Sequence, residues 1–226
     1  MPRYRKRRQA RRRPRRNLRR RYGRNRRIKT YGTGISGKAG VHMCRQKVYS
    51  TFTIPTTATA PGPYFIAKQF TLSDLPQAIT FRQLYDEYKI NAVSTKIILN
   101  SNTNTGANQN LQLGYVTNDK DSAAVPLDWS TFLERAGTKI RNLYPGGTTN
   151  CSATMYLKPT PLTVLYESTV SSGYALMRKA PFVDMGDPTV PHYGLLYGFN
   201  NGQEERNNVT QVTVCTTYYM SFKGLK

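Results

Sequence analysis

Apolar and polar residues alternate with a period of two along several stretches of the chain, which is the pattern of half-buried β-strands. The alternation is clearest in residues 211–222, where one side carries Val212, Val214, Thr216, Tyr218, Met220 and Phe222. Two other same-side sets are Val48, Ser50, Phe52 and Ile54 in a first strand, and Val93, Thr95, Ile97 and Leu99 in a strand beginning near Lys89. We expect each of these sides to face a core.

Five shorter segments also have strand character, at residues 111–116, 138–143, 151–157, 162–167 and 193–199. Together they give about eight strands separated by loops rich in Asn, Gly, Pro and Thr, which is typical of an all-β sandwich or barrel. The polar stretches 100–110 and 179–192 are predicted to be surface loops. The sequence therefore predicts one all-β body over residues 41–226.

Two short helices are predicted between the strands. Residues 80–88 place Phe81, Leu84, Tyr85 and Tyr88 on one helical face, and Thr80 with Gln83 matches a capping box. In residues 126–137, Asp128 is placed to cap a helix and Gly137 to end it.

The charge of the chain is divided very unevenly. The net charge is +22, and the first 47 residues hold 20 of the 34 Lys and Arg residues and no Asp or Glu. The remaining residues hold 34 − 20 = 14 basic and 12 acidic residues, a balance of only +2. So dense a block of like charges repels itself and cannot form a core, so we expect a disordered arm that a polyanion neutralises.

Arginine dominates this arm, with fifteen Arg against two Lys through Lys29. Because guanidinium groups bridge phosphate oxygens in pairs, the composition favours nucleic acid, and Tyr4, Tyr22 and Tyr31 could stack on unpaired bases. The predicted nucleic-acid-binding residues are Arg3, Arg5, Lys6, Arg7, Arg8, Arg11, Arg12, Arg13, Arg15, Arg16, Arg19, Arg20, Arg21, Arg24, Arg26, Arg27 and Lys29. Basic runs of this kind also match nuclear localisation signals, here Arg5, Lys6, Arg7, Arg8, Arg11, Arg12, Arg13, Arg15 and Arg16.

Other interpretations of the N-terminal region have less support. The arm lacks the apolar face of a membrane-bound helix or a transit peptide. The Gly-rich segment 32–39 imitates a P-loop and a dinucleotide fingerprint, but Ala39 stands where a P-loop has Ser or Thr, and no strand precedes the segment. We interpret it as a hinge, so that residues 1–40 form the arm and hinge and residues 41–226 the body.

Little in the body suggests catalysis, a metal or a cofactor, and we predict none. The chain has two histidines, and its cysteines Cys44, Cys151 and Cys215 are far apart, which is typical of buried structural thiols. No signal peptide or membrane span is recognisable, so we expect synthesis in the cytosol.

A family resemblance enters at residues 81–96, FRQLYDEYKINAVSTK. This segment resembles the aromatic-rich turn and following strand of capsid proteins from small circular single-stranded DNA viruses, the circovirus and cyclovirus group. The order of arginine-rich arm, short linker and all-β body is also similar to that family. Trp129 is the single tryptophan, which departs from the family's pattern.

The resemblance implies an eight-stranded antiparallel jelly roll of the viral capsid type, about sixty copies of which close into a T=1 icosahedral shell. It also implies single-stranded viral DNA and host nuclear import receptors as partners, location in the virion and the host nucleus, and an unidentified cell-surface attachment factor. Two alternatives stay open: the coat protein of a small RNA or satellite virus, and a cellular basic RNA-binding protein of the ribosomal type. Charge alone does not distinguish DNA from RNA, because both present phosphates.

Overall fold

The computed structural model describes residues 36–38, 40–55, 62–100, 111–119, 125–144, 151–167, 172–200 and 210–226. Within these ranges the chain forms twelve strands, two short helices and a 3-10 turn at Leu72–Asp74. The helices are α1 (Ala78–Leu84) and α2 (Trp129–Leu133). The strands are β1 (Ser36–Lys38), β2 (Val41–Ile54), β3 (Tyr64–Phe70), β4 (Tyr85–Leu99), β5 (Leu111–Asp119), β6 (Lys139–Leu143), β7 (Ser152–Leu157), β8 (Leu162–Glu167), β9 (Ser172–Leu176), β10 (Val183–Asp184), β11 (His192–Asn200) and β12 (Thr210–Leu225).

Most of these strands form two antiparallel sheets. In the large sheet the order is β1-β2-β12-β4, and β10 and β7 pair with different stretches of β4. In the small sheet the order is β3-β11-β5-β6, and β8 pairs with β9 separately. Eight strands define the topology when they are numbered along the chain: β2 to β7, β11 and β12. The first, eighth, third and sixth are neighbours in the large sheet, and the second, seventh, fourth and fifth are neighbours in the small sheet. This arrangement confirms the predicted eight-stranded antiparallel jelly roll.

One core lies between the two sheets. The predicted sides of β4 and β12 face it, and Val93, Ile97, Tyr218 and Met220 are each 1% exposed or less. The core is completed from the small sheet by Leu113, Tyr115, Leu195, Tyr197 and Phe199. Two buried phenols attach loops to this core, because Tyr218 donates to Asp74 Oδ2 at 2.7 Å and Tyr88 donates to the Asp187 carbonyl at 3.0 Å. Burial raises the pKa of both tyrosines, that of Tyr88 to about 12.

A second apolar cluster covers the outer side of the small sheet. Gly114 of β5 pairs directly with Gly198 of β11, which leaves a flat area without side chains. Phe65, Trp129 and Phe132 pack together over this area, with ring centroids 5.3–5.9 Å apart. Helix α2 is therefore held on the sheet by its aromatic residues. As predicted, Asp128 caps α2, since its carboxylate accepts from the Thr131 amide at 2.7 Å.

The predicted helix over residues 80–88 is wrong in its C-terminal part. Helix α1 ends at Leu84, and Tyr85 and Tyr88 belong to β4, where they pair with Leu225 and Phe222 of β12. Thr80 and Gln83 do not begin the helix either, because Gln77 is its N-cap. The long-range pairing with β12 outweighs the helical spacing of the aromatic residues.

Three further expectations need correction. Strand β3 was not predicted, because its sequence shows no clear alternation. The segment 179–192 is not simply a surface loop, since it contains β10, which pairs with β4, and Met185, which is 1% exposed. Of the three free thiols, Cys215 is buried but Cys44 and Cys151 are only half-buried. Residues 36–38 of the expected hinge form β1, which pairs with β2. The predicted loop 101–110 lies outside the described residues.

The glycine pair yields a first testable prediction, for which the only tryptophan, Trp129, is a built-in fluorescence probe. A Cβ at position 114 would overlap Phe132 and lie 2.8 Å from Trp129 Cη2. Gly114→Ala should lower the free energy of unfolding by about 1–3 kcal/mol and shift Trp129 emission to longer wavelength as α2 moves off the sheet. In the control Gly186→Ala, the nearest atom is the side-chain oxygen of exposed Asp184, so both effects should be smaller. Equal effects would contradict the packing described.

A second prediction concerns His192, which is fully buried in β11. Its Nδ1 lies 3.0 Å from the Val190 carbonyl oxygen, its Nε2 has no hydrogen-bond partner among the described residues, and burial lowers its pKa. Below a pH of about 6.5 the unfolded chain therefore binds a proton that the folded chain does not. In this range the free energy of unfolding should decrease as the pH is lowered, by at most about 1.4 kcal/mol per pH unit.

Urea unfolding between pH 7.5 and 5 measures this dependence. His192→Gln should flatten it, because this variant removes the buried imidazole. An unchanged slope in His192→Gln would reject the assignment.

Candidate nucleic-acid interface

All seventeen predicted phosphate-binding residues of the arm, Arg3 through Lys29, lie outside the described residues, as do the predicted import signal and Tyr4, Tyr22 and Tyr31. Their roles therefore stay predictions. The structure describes the body to which the arm is joined. The first described residue is Ser36, whose Cα partner in the β1–β2 hairpin is Met43, and Gly40 in this hairpin has a φ of +79°.

Several carboxylates of the body have local partners in turns and at strand ends. Asp119 pairs with Arg135, and Glu87 with Lys223 at 3.0 Å. Hydrogen bonds from Thr131 and Ser130 hold the pKa of Asp128 below its usual value. These acidic groups therefore stabilise local structure and lie away from the centre of the large sheet.

The solvent-facing side of the large sheet is rich in cations and tyrosines. On β2, Arg45 and Lys47 are exposed, and on β4 so is Lys96, while Lys89 is half-exposed. We call the side that carries these four residues the basic face. In the register of the sheet, Lys47 lies opposite Thr217 of β12, Thr217 opposite Ser94 of β4, and Ser94 opposite Tyr156 of β7.

Aromatic rings lie among these cations. The guanidinium carbon of Arg45 is 5.8 Å from the centroid of the Tyr219 ring, and that ring is 6.4 Å from the Tyr156 ring. The central strand β12 presents small side chains, including Thr217 and Ser221, between the longer residues of β2 and β4. Such alternation of cations and aromatic rings suits a flexible polyanion that carries planar bases.

In the described strands of this sheet, the carboxylates on this side lie at one end. Among the described strand residues, Glu87 of β4 and Asp184 of β10 lie opposite each other at the end next to β10. Glu87 pairs with Lys223, and Asp184 accepts from the Gly186 amide. The body, residues 41–226, has a formal charge of only 16 − 12 = +4 and yet has one markedly basic surface.

A groove opens on the same side of the sheet, beside β7. It has a volume of about 510 Å³ and is lined by the cations Lys89, Lys158, Arg178 and Lys179. Tyr156 and Thr160 also line it. Within the described ranges, no group of three or more His, Cys, Asp or Glu residues is arranged to hold a metal ion. No described helix is long and apolar enough to cross a membrane.

The sequence reasoning missed these body cations. Strict alternation in β4 would place Lys89 on the core side with Val93, Ile97 and Leu99, and only the bulge at Asn91 turns it outward, which the sequence pattern does not reveal. Nothing in the sequence brings Lys158 and Arg178 beside Lys89, since that neighbourhood depends on the pairing of β7 with β4 and on the path of the chain after β9.

Comparison with solved structures gives neighbours of the same fold. "Crystal structure of 60-mer BFDV Capsid Protein" matches with a TM-score of 0.62 and 16% identity, covering 81% of this chain and 94% of that one. "Crystal structure of decameric BFDV Capsid Protein" matches with a TM-score of 0.52 and 16% identity, covering 81% and 99%. A Cucumber Leaf Spot Virus chain matches with a TM-score of 0.50 and 10% identity, covering 85% and 54%.

Sequence comparison is decisive for the family. No curated protein sequence matches the chain. The family model described as Circovirus capsid protein matches residues 2–226, which include the arm as well as the jelly roll. Since this match spans nearly the whole sequence and agrees with the fold, the chain belongs to the circovirus capsid protein family.

Proposed function

We propose that this protein assembles into a small T=1 icosahedral shell and packages a circular single-stranded DNA genome through its N-terminal arm. The observation that carries the proposal is the division of charge, +20 in the first 47 residues against +2 in the rest, within a chain whose family match covers both parts. A jelly-roll body suits a shell wall, and one of the similar structures is described as a 60-mer.

The charge of the arms sets the number of phosphates that one shell could neutralise. Sixty arms, each with the 18 basic residues of residues 1–40, would neutralise on the order of a thousand phosphates. Release of the counterions condensed on those phosphates drives binding without reading the base sequence. The proposed packaging is therefore non-specific and should weaken steeply as salt rises.

We assign no catalytic step to this function. The groups with shifted pKa values described above owe those shifts to burial or to capping, as in Tyr88, His192 and Asp128. Self-association and phosphate binding require no bond to be made or broken. The virion is accordingly the proposed location of the protein after assembly.

The arm is also proposed to direct the protein into the host nucleus by binding import receptors. Its supporting feature is the density of basic runs between Arg5 and Arg16, which match the type of sequence those receptors bind. Import and packaging use the same residues at different stages, because receptors bind the free chain and DNA binds the arm during assembly.

The packaging proposal is tested by replacing the fifteen arm arginines with Gln, and with Lys as a charge-matched control. Particles of the Gln variant should contain little nucleic acid, shown by a fall in their absorbance ratio at 260 and 280 nm. Particles of the Lys variant should retain most of it, because neutralisation depends chiefly on charge. Unchanged nucleic-acid content in the Gln variant would contradict the proposal, and sequencing the packaged strand distinguishes DNA from RNA.

The import proposal is tested by fusing residues 1–29 to a fluorescent reporter in cells. Five arginines of the predicted signal are changed to Gln in one variant: Arg11, Arg12, Arg13, Arg15 and Arg16. The matched control changes five arginines outside it: Arg19, Arg20, Arg21, Arg24 and Arg26. We expect the unaltered fusion and the control to accumulate in the nucleus and the first variant to remain largely cytoplasmic. Equal distribution of the two variants would reject the assigned signal.

A further inference from the structure

The groove beside β7 is lined by residues of the body, and four of them are cations. We propose that it binds the backbone of single-stranded nucleic acid, with Lys89, Lys158, Arg178 and Lys179 contacting phosphates and Tyr156 stacking on a base. The inference rests on the proposed packaging function and deepens it, because it gives the packaged strand an ordered contact on the body.

The four cations come from three separate parts of the chain. Lys89 belongs to β4, Lys158 directly follows β7, and Arg178 and Lys179 lie between β9 and β10. Among the residues that the structure describes, no carboxylate lines the groove and no ion pair engages these cations. Bringing four like charges to one groove is unfavourable unless an anion binds there, so their convergence indicates a polyanionic ligand.

Thr160 supplies an independent indication of a ligand. It lines the groove with only 3% of its surface exposed, and its Oγ1 has no hydrogen-bond partner among the described residues. Two backbone hydrogen bonds to Tyr193, of 3.1 and 2.9 Å, fix its position. A buried hydroxyl without a partner is costly; because Oγ1 has almost no accessible surface in this structure, donation to a phosphate oxygen would require a small shift of the surrounding residues.

The presence of Tyr156 favours single-stranded nucleic acid over other polyanions as the ligand of the groove. Tyr156 is 58% exposed on β7, so much of its side chain is accessible at the surface beside the groove. Asn91, which also lines the groove, is the extra residue of a β-bulge in β4. Its side-chain nitrogen Nδ2 donates to Ser221 Oγ at 2.6 Å. A phenol ring beside clustered cations suits a base and its phosphates, whereas a sulfated polysaccharide has no planar group to stack.

The first described residues of the chain also lie close to the groove. Ser36 pairs with Met43, and Met43 lines the groove. The last arm cation, Lys29, is separated from Ser36 by a segment that spans at most about 25 Å when extended. One strand neutralised by the arm can therefore also reach the groove.

The test uses full-length particles and a single-stranded oligonucleotide that carries 5-iodouracil. Irradiation should crosslink it to Tyr156, detected by peptide mass spectrometry, in addition to any crosslinks within the arm. Crosslinks restricted to residues 1–35 would overturn the groove proposal while leaving packaging by the arm intact. Absence of all crosslinks and of bound nucleic acid would instead contradict the packaging function itself.

Two charge-matched variants of the full-length protein measure the contribution of the cations. Arg178→Gln with Lys179→Gln should lower affinity for the oligonucleotide about tenfold and reduce the slope of log K against log salt by about 1.4. The control, Lys139→Gln with Arg141→Gln, removes the same two charges from the exposed surface of β6 and should change both quantities much less. Equal losses in the two variants would overturn the proposal.

A third variant separates the two kinds of polyanion. Tyr156→Leu should weaken oligonucleotide binding about tenfold and leave the salt slope unchanged, because stacking involves no charge. Heparin serves as the sulfated probe. If heparin competes for the groove and Tyr156→Leu leaves oligonucleotide affinity unchanged, the groove is a polysaccharide site and the proposal is wrong.

Discussion

The pairing of β12 with β2 on one side and β4 on the other is the interaction on which the rest of the structure depends. Its register runs from Val212 to Lys223 with both neighbours and shifts only at Asn91. In such a ladder successive side chains point to opposite sides. The pairing that turns Tyr218 and Met220 into the core therefore also turns Arg45, Lys47 and Lys96 outward together, so the core and the basic face arise from the same constraint.

This constraint explains how a body with a small net charge can present a strongly basic surface. Several of its acids are used in turns, caps and strand ends, where they hold Tyr218, α2 or the end of β12. Several of its cations lie on the large sheet and around the groove beside β7. We infer that arm and body make different contributions to packaging: the arm supplies most of the neutralising charge, and the groove supplies a fixed point of contact for the strand.

Alternation was the reliable guide from the sequence, because it records which side of a strand faces the core. It identified β4, β12 and most of the strands between them, and the motif at residue 128 identified the cap of α2. It failed where long-range pairing competes with local spacing, as in the aromatic residues Tyr85 and Tyr88, and in β3. The groove was beyond its reach, since Lys89, Lys158 and Arg178 become neighbours only through the fold.

The central claim is that the basic face and the arm act on the same enclosed nucleic acid. A cryo-electron microscopy reconstruction of particles assembled from the full-length protein tests it most directly. The account predicts closed shells of sixty subunits in which the basic face, the groove beside β7 and Ser36 all turn toward the nucleic acid inside. Particles with the basic face on the outer surface, or a protein that stays monomeric at every salt concentration, would contradict it.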